Sequence, residues 1–436
     1  MLLDQEATLT FNGKTYTFPV IMGTEGELGI DGAKLRNDTG LITLDPGYGN
    51  TGSCQSAVTY VNGEKGILRY RGYPIEEIAE RSTFIETAML LIFGELPTQG
   101  DLSNFSEMLC ENEMLHEDLL HHFDGFPPNG EPMAILSAVL NSLGSYHPEL
   151  YDIKDEDEFR RATAKIISKV RTIAAFAYRK SRGLPFMYPN PKLRYCTNFL
   201  HMMFSLPFKT YEPPLGAVRA LSLFLILHAD HEQNCSCSTV RMVGSSQANL
   251  FASLSAGVCA LWGRLHGGAN AQVITMLRKL RDGDLTVKQY LDKVKKKEMR
   301  LMGFGHRIYK NFDPRAKLLK KAAHNLLSNI GDSDDVLIEI AQELEDAALN
   351  DNYFVDRKLY PNVDFYSGII LRALGIPVPM FPVMFAIGRM PGWIAHWHEE
   401  SLDPTTRIHR PRQIYTGPHA RPYVPIEKRK VGISGL

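Results

Sequence analysis

The stretch Met302–Ala316 reads MGFGHRIYKNFDPRA, a histidine framed by glycines and followed by Asp-Pro-Arg. It interrupts a chain whose texture is helical from about residue 74, and three other segments interrupt it in a similar way. His228-Ala229-Asp230-His231-Glu232-Gln233-Asn234 follows an apolar helical run. Arg264–Asn270 reads RLHGGAN, and Tyr360–Gly368 reads YPNVDFYSG. His231, His266, His306 and Asp364 are separated by 35, 40 and 58 residues, so any site they share is assembled by tertiary folding.

Each segment alone reads two ways. A lone histidine is commonly a hydrogen-bonded structural residue, but His228 and His231, at i and i+3, could face one metal. His266 before Gly267-Gly268 suits a place where backbone comes close to a ligand. Asp364, among Val363, Phe365 and Tyr366, is either a solvated loop residue or a desolvated carboxylate whose raised pKa makes it a better base. Arginines supply complementary charge: Arg315 in DPR, Arg389 in GRMPGW, and Arg410 and Arg412 in RPRQ. Guanidinium forks match carboxylates bidentately, so several in Gly/Pro-framed turns point to a ligand with more than one carboxylate. The alternative for each is a solvated surface arginine.

The 436 residues allow two or three domains with a large core. A formal net charge of −1 gives no global field to attract nucleic acid or an anionic membrane. The longest apolar runs, such as Leu221–Leu227 and Met89–Phe93, are far short of a membrane span. The segment Met1–Gly40 lacks the basic-then-apolar layout of a signal peptide, which reads as a cytoplasmic protein. Six cysteines are scattered, and Cys235 and Cys237 form a C-x-C with no matching pair at finger-like spacing. Reduced structural thiols are expected.

Alternating residues around Asn12-Gly13 predict a hairpin over residues 7–20, and a second is predicted over 56–71 with its turn at Asn62-Gly63. Thr83-Phe84-Ile85-Glu86 fits a capping box ahead of the apolar stretch Ala88–Phe93 and a stop at Gly94. Pro132 suits the first turn of a helix through Leu143. Helices are also expected over 157–180, 214–230 and 247–262, with an amphipathic one over Asp334–Leu349. The basic run Lys293–Arg300 reads as a solvated helix face. Gly/Pro-bearing loops are expected near 302–314, 360–368 and 387–392, and an extended arm over about 404–436.

Seven blocks together carry a resemblance: GILRYRGYPIEE (66–77), HADHEQN (228–234), LHGGAN (265–270), MGFGHRIYKNFDPRA (302–316), YPNVDFYSG (360–368), GRMPGWIAHW (388–397) and RPRQIYTG (410–417). In order and spacing they resemble citrate synthases, from about residue 40 onward. The β-rich N-terminus and the HADHEQN form look like the larger bacterial branch. The resemblance implies an all-α, two-domain fold with a small β-rich N-terminal region over 1–45. It puts a large helical domain at 46–270 and 378–436, and a small helical domain at 271–377.

It further implies an acyltransferase of the tricarboxylic acid cycle that joins acetyl-CoA to oxaloacetate and releases citrate and CoA. A thioester methyl is a very weak acid, so a base must work together with groups that stabilise the enolate oxygen. By resemblance the base is Asp364, His266 donates to the thioester oxygen as a neutral imidazole, and His306 polarises the oxaloacetate ketone. His231, Arg315, Arg389 and Arg410 hold oxaloacetate, with Arg410 reaching in from a neighbouring subunit. Met302, Gly303, Phe304, Gly305, Arg307 and Lys310 are the CoA-binding candidates. No metal or cofactor is implied beyond the CoA thioester substrate, and the assembly implied is a homohexamer, a trimer of dimers. Many enzymes of this branch are inhibited by NADH at a basic remote site. Here Phe123–Pro132 is neutral to acidic and Phe208 stands where some members carry cysteine, so weak or absent inhibition is expected. The rivals are 2-methylcitrate synthase, using propionyl-CoA, and a zinc hydrolase on His228, His231 and His266, although H-E-x-x-H is absent.

Overall fold

A computed structural model describes residues 2–330 and 336–429 of the chain. They form two compact units, one of residues 1–55 with 409–436, the other of 56–408.

In the first unit, β1 (Leu2–Phe11), β2 (Lys14–Met22) and β3 (Leu28–Ile30) make an antiparallel sheet in that order. The predicted hairpin closes at Asn12 (φ 49°) and Gly13 (φ 75°), the doubly left-handed turn that Asn-Gly favours. Residues 410–425 carry no helix or strand and are exposed, as expected of an extended arm.

The second unit is helical, apart from the antiparallel strands β4 (Thr59–Asn62), β5 (Ile67–Tyr70) and β6 (Tyr73–Pro74). Its long helices, Glu156–Ser181 and Phe381–Leu402, both run through the core: the first has charged ends around a small and apolar middle, the second is largely apolar from Phe381 to Ala395. Among the described residues no helix is long and apolar enough to cross a membrane. Thr83 caps Phe84–Phe93 with the expected reciprocal bonds to Glu86, and Gly94 ends that helix at φ 93°. Pro132 begins the helix through Leu143. The amphipathic helix is described over Val336–Leu349, while Asp334 and Asp335 lie outside the described residues.

Two expectations are corrected. Residues 387–392 are not a loop but the middle of Phe381–Leu402, buried throughout from Phe381 to His396. The glycines serve close approach instead. A Cβ on Gly392 would lie 2.3 Å from the Ala229 carbonyl, and one on Gly388 3.1 Å from that of Leu225. Pro391 forgoes one helical hydrogen bond. The glycines on this face bring the helix against the end of Ala217–Leu227 and the histidine turn that follows it.

The second correction concerns Gly63. The turn between β4 and β5 spans residues 63–66, with Asn62 closing β4 and accepting from the Lys65 amide at 2.9 Å. At Gly63 the chain admits the 308–310 segment. A Cβ there would sit 2.1 Å from the Ile308 carbonyl oxygen, and Lys310 N donates to Gly63 O at 2.8 Å. The hairpin thus buttresses the loop that carries His306.

Gly63→Ala forces two backbones apart. It is expected to lower stability by about 1–3 kcal/mol, the usual cost of overpacking, read as a drop in thermal unfolding midpoint. Gly13→Ala, which meets no atom within 4 Å, should instead show only the cost of a positive φ.

Candidate active site

The third and fourth segments pair by backbone. Gly305 N donates to Tyr360 O and Asn362 N to Gly303 O, both at 2.8 Å, and Asn362 Nδ2 donates to Gly305 O at 2.8 Å. Gly303 and Gly305 are left-handed (φ 78° and 75°). A Cβ on Gly303 would press within 2.9 Å of Phe365 and Val273, so glycine is required there on both counts. Asn362 also caps Val363–Ala373 by accepting from Asp364 N at 3.0 Å, which sets Asp364 in the first helical turn.

Asp313 ties this pair of loops together. Its Oδ1 accepts from Arg315 N and Nε at 3.0 and 2.9 Å. Its Oδ2 accepts from Arg315 Nη2 at 2.9 Å and from Val363 N at 3.0 Å. Burial alone would raise the Asp313 carboxyl, but the adjoining guanidinium holds it below its usual range.

His306 Nδ1 accepts from the amides of Ile308 and Tyr309 at 3.1 and 3.3 Å. Its proton therefore sits on Nε2, a donor by construction. Burial, then Arg315, lowers its pKa to about 4, so the ring is neutral. His231 lies 5.3 Å away, ring centroid to centroid, and Tyr309 Oη is 3.2 Å from its Nε2. Burial pushes His231 well below its ordinary value, helped by Arg315, His306 and Arg389.

Arg389 is buried. Its Nε donates to His228 O at 2.6 Å, and its Nη1 is buried without a hydrogen-bond partner. An unpaired buried donor of a cation is costly unless an anion completes it. His228 Nδ1 donates to Phe224 O (2.7 Å), and its ring lies between those of Phe224 and Phe385. Phe385 also meets the rings of His266 (6.1 Å) and lies 5.0 Å from the Arg389 guanidinium.

His266 Nε2 is 2.9 Å from Ser236 Oγ. That hydroxyl accepts from Trp393 Nε1 at 3.1 Å and lies 2.8 Å from Asn234 Oδ1. Its single proton serves either Asn234 or His266, and the choice puts the imidazole proton on Nε2 or Nδ1. Burial and then Arg389 lower His266 to about 4. Asp364 is half-buried, and among the described residues no donor reaches its carboxylate. Burial raises it to about 6 against the pull of Arg315. Neutral imidazole donors, two guanidinium groups and a carboxyl poised near neutrality can remove a carbon-bound proton beside a carbonyl and hold a polycarboxylate.

The family model for the citrate synthase C-terminal domain matches residues 47–412, a span that includes every one of these groups. The chain belongs to the citrate synthase family. It is 51% identical over 428 residues to citrate synthase 1 of Mycobacterium tuberculosis, covering 98% of this chain and 99% of that protein. With the citrate synthase of Corynebacterium glutamicum it shares 48% over 431 residues, 98% of each. Its fold is similar to citrate synthase of Thermoplasma acidophilum in a ternary complex with carboxymethyl coenzyme A and oxaloacetate. There the TM-score is 0.80 and the identity 30%, over 87% of this chain and 98% of that one. The all-α fold with small N-terminal sheets is that of a citrate synthase.

Of the residues expected from sequence, His231, His306, Arg315 and Arg389 lie in one connected network, which Asp364 joins through Val363 and Asp313. His266 joins through Phe385 and Ser236. Arg410 falls in the other unit, exposed. Met302 is half-buried, Gly303 and Phe304 are buried, and Arg307 and Lys310 are exposed, with Lys310 Nζ 3.4 Å from Arg307 O. The zinc reading fails on position. Among the described residues only Asp230, Cys237 and His396 gather as potential ligands, not His228, His231 and His266. Cys235 is exposed and Cys237 buried, so the C-x-C does not act as a pair. Sequence reading missed Ser236, Trp393, Asp313 and Tyr309. Three of these stand inside the quoted blocks, but only tertiary contact gives them a task.

The raised Asp364 carboxyl has a cost. Folding binds its proton more tightly, so stability falls as pH rises from about 4 to about 6, by about 2–3 kcal/mol in all. Asp364→Asn removes that penalty. The variant should unfold at the same or a higher temperature than the parent at pH 7.5, with less than half of the advantage left near pH 4.5. A lower midpoint at pH 7.5 would show that the carboxylate is stabilising instead.

Proposed function

We propose that this chain condenses acetyl-CoA with oxaloacetate and hydrolyses the resulting thioester to citrate and CoA. The observation that carries the reading is the linkage, through Arg315 and Arg389, of buried neutral imidazoles with a carboxyl raised to about 6. Oxaloacetate is a dianion, and Arg389 Nη1 and the outer face of Arg315 are the guanidinium edges left for it, alongside His231. Arg410, on the exposed arm, is assigned to the site of a neighbouring subunit.

Asp364 takes a proton from the thioester methyl while His266 donates to the thioester oxygen as negative charge develops there. For that, the Ser236 proton turns from Asn234 to His266 Nε2, leaving Nδ1–H for the substrate. His306 Nε2–H polarises the ketone oxygen as the methyl carbon attacks, and the new alkoxide is protonated. Water then cleaves the thioester and CoA leaves as the thiol. Each imidazole donates without a formal positive charge, so no ion has to be desolvated at the reacting oxygens. CoA is assigned to the Met302–Gly305 loop with Arg307 and Lys310.

The large domain (46–270 and 378–436) carries His231 and His266, and the small one (271–377) His306 and Asp364. Closure between them would exclude water from the enol, with oxaloacetate binding first because its partners come from both. The assembly proposed is a cytoplasmic homohexamer that needs no metal or further cofactor. Propionyl-CoA as the true substrate is not favoured, since relatives matching almost the whole chain are named citrate synthases.

Free-thiol release from acetyl-CoA, with and without oxaloacetate, tests the reading. Release should depend on oxaloacetate and fall about 10²–10⁴-fold in Asp364→Asn. In the parent, kcat/KM for acetyl-CoA should decline as pH drops through about 6, where Asp364 becomes protonated. Added NADH should change the rate little. No thiol release with either acetyl-CoA or propionyl-CoA would overturn the proposal.

A further inference from the structure

Tyr309 makes more connections within the oxaloacetate network than any residue assigned a role in it. Its hydroxyl lies 3.2 Å from His231 Nε2, and its amide donates to His306 Nδ1 at 3.3 Å. Its ring stands 5.5 Å from His231, 5.0 Å from His306 and 5.8 Å from the Arg315 guanidinium. It is 2% exposed and lines a small cavity with His306 and Asp313.

The direction of its hydrogen bond follows from the chemistry of the two groups. A neutral phenol is a better donor than acceptor, and a neutral imidazole nitrogen is a good acceptor. Burial keeps both groups neutral, so the Tyr309 hydroxyl donates to His231 Nε2 and the ring proton sits on Nδ1. One residue therefore fixes the tautomers of two histidines: His231 through its hydroxyl, and His306 through its amide.

We propose that Tyr309 is a positioning residue for oxaloacetate binding, whose hydroxyl locks the ring orientation and tautomer of His231 beside His306. The proposal rests on the oxaloacetate reading above. Without the hydroxyl, His231 is free to turn its ring or exchange its proton, and oxaloacetate must then select one state. Its binding weakens while the chemistry, which Asp364 and His266 govern, is little changed.

Tyr309→Phe keeps the ring and removes only the donor. Its dissociation constant for oxaloacetate, measured by calorimetry, should rise about tenfold, the worth of one hydrogen bond. KM for oxaloacetate should rise with it, while kcat at saturation stays within about twofold. Long-range proton–nitrogen spectra of protein labelled at histidine nitrogen add a readout that a packing defect would not move. One imidazole should lose its single-tautomer pattern, and His306, held by backbone, should keep its own. In a His231→Asn background the effect of Tyr309→Phe should disappear. Equal binding by parent and Tyr309→Phe, or an undiminished effect in the His231→Asn background, overturns the role of Tyr309 alone. A parent that fails to bind oxaloacetate overturns the function reading and this inference with it.

Discussion

The buried pair of Asp313 and Arg315 is the interaction on which the rest of the site depends. Its four hydrogen bonds are not only between the two side chains. One carboxylate oxygen also takes the Val363 amide, the first N–H of the helix that bears Asp364. A helix begins with unpaired N–H groups that need an acceptor. Supplying one from Asp313 fixes where that helix starts relative to the 302–316 loop. Losing either partner would strand a buried charge, which typically costs about 3–5 kcal/mol. The same pair also carries the field that His306, His231 and Asp364 feel.

That field and burial together sort the titratable groups. Imidazoles lose their charged form twice over, first to desolvation and then to nearby guanidinium groups, and fall to about 3 at His228 and about 4 at His266 and His306. For a carboxylate the two effects oppose. At Asp230, fully buried, His396 and Arg389 overcome desolvation and the group falls to about 2. At Asp364 desolvation wins against Arg315, and among the described residues no hydrogen bond reaches its carboxylate. Two carboxylates in one network thus take opposite characters, one a permanent anion that holds His396, the other a base within reach of neutral pH.

Much of this was legible from local chemistry. Asn12-Gly13, the Thr83 box and Pro132 each act over a few residues, so sequence alone places them. Asp364 was legible because its apolar neighbours announced desolvation. The GRMPG block was not. Glycine and proline usually break helices, and only contact with the Ala229 and Leu225 carbonyls reveals that these glycines admit a neighbouring backbone. Gly63 misled for the same reason, since an Asn-Gly signal cannot be told from close approach to a segment more than two hundred residues away. Arg389 was singled out from a turn that does not exist; it lies buried within the helix, with Nη1 unpartnered.

The helix Phe381–Leu402 also joins the groups proposed for the two substrates. Arg389 meets the histidine turn through the His228 carbonyl, and Trp393, one helical turn on, donates to the Ser236 hydroxyl. Trp393 occupies one Ser236 lone pair; Asn234 Oδ1 can only accept the hydroxyl proton, whereas His266 Nε2 can either accept it or donate to the remaining lone pair. The hydroxyl has one proton and must choose. Asn234 Oδ1 already takes the amides of Ser236 and Cys237, so releasing the Ser236 proton from it leaves no acceptor empty. Turning that proton to His266 then costs little and leaves Nδ1–H as the donor. Arg389, with its unpaired Nη1, and Trp393, which orders the Ser236 hydroxyl, are thus held one turn apart on the buried stretch of one helix.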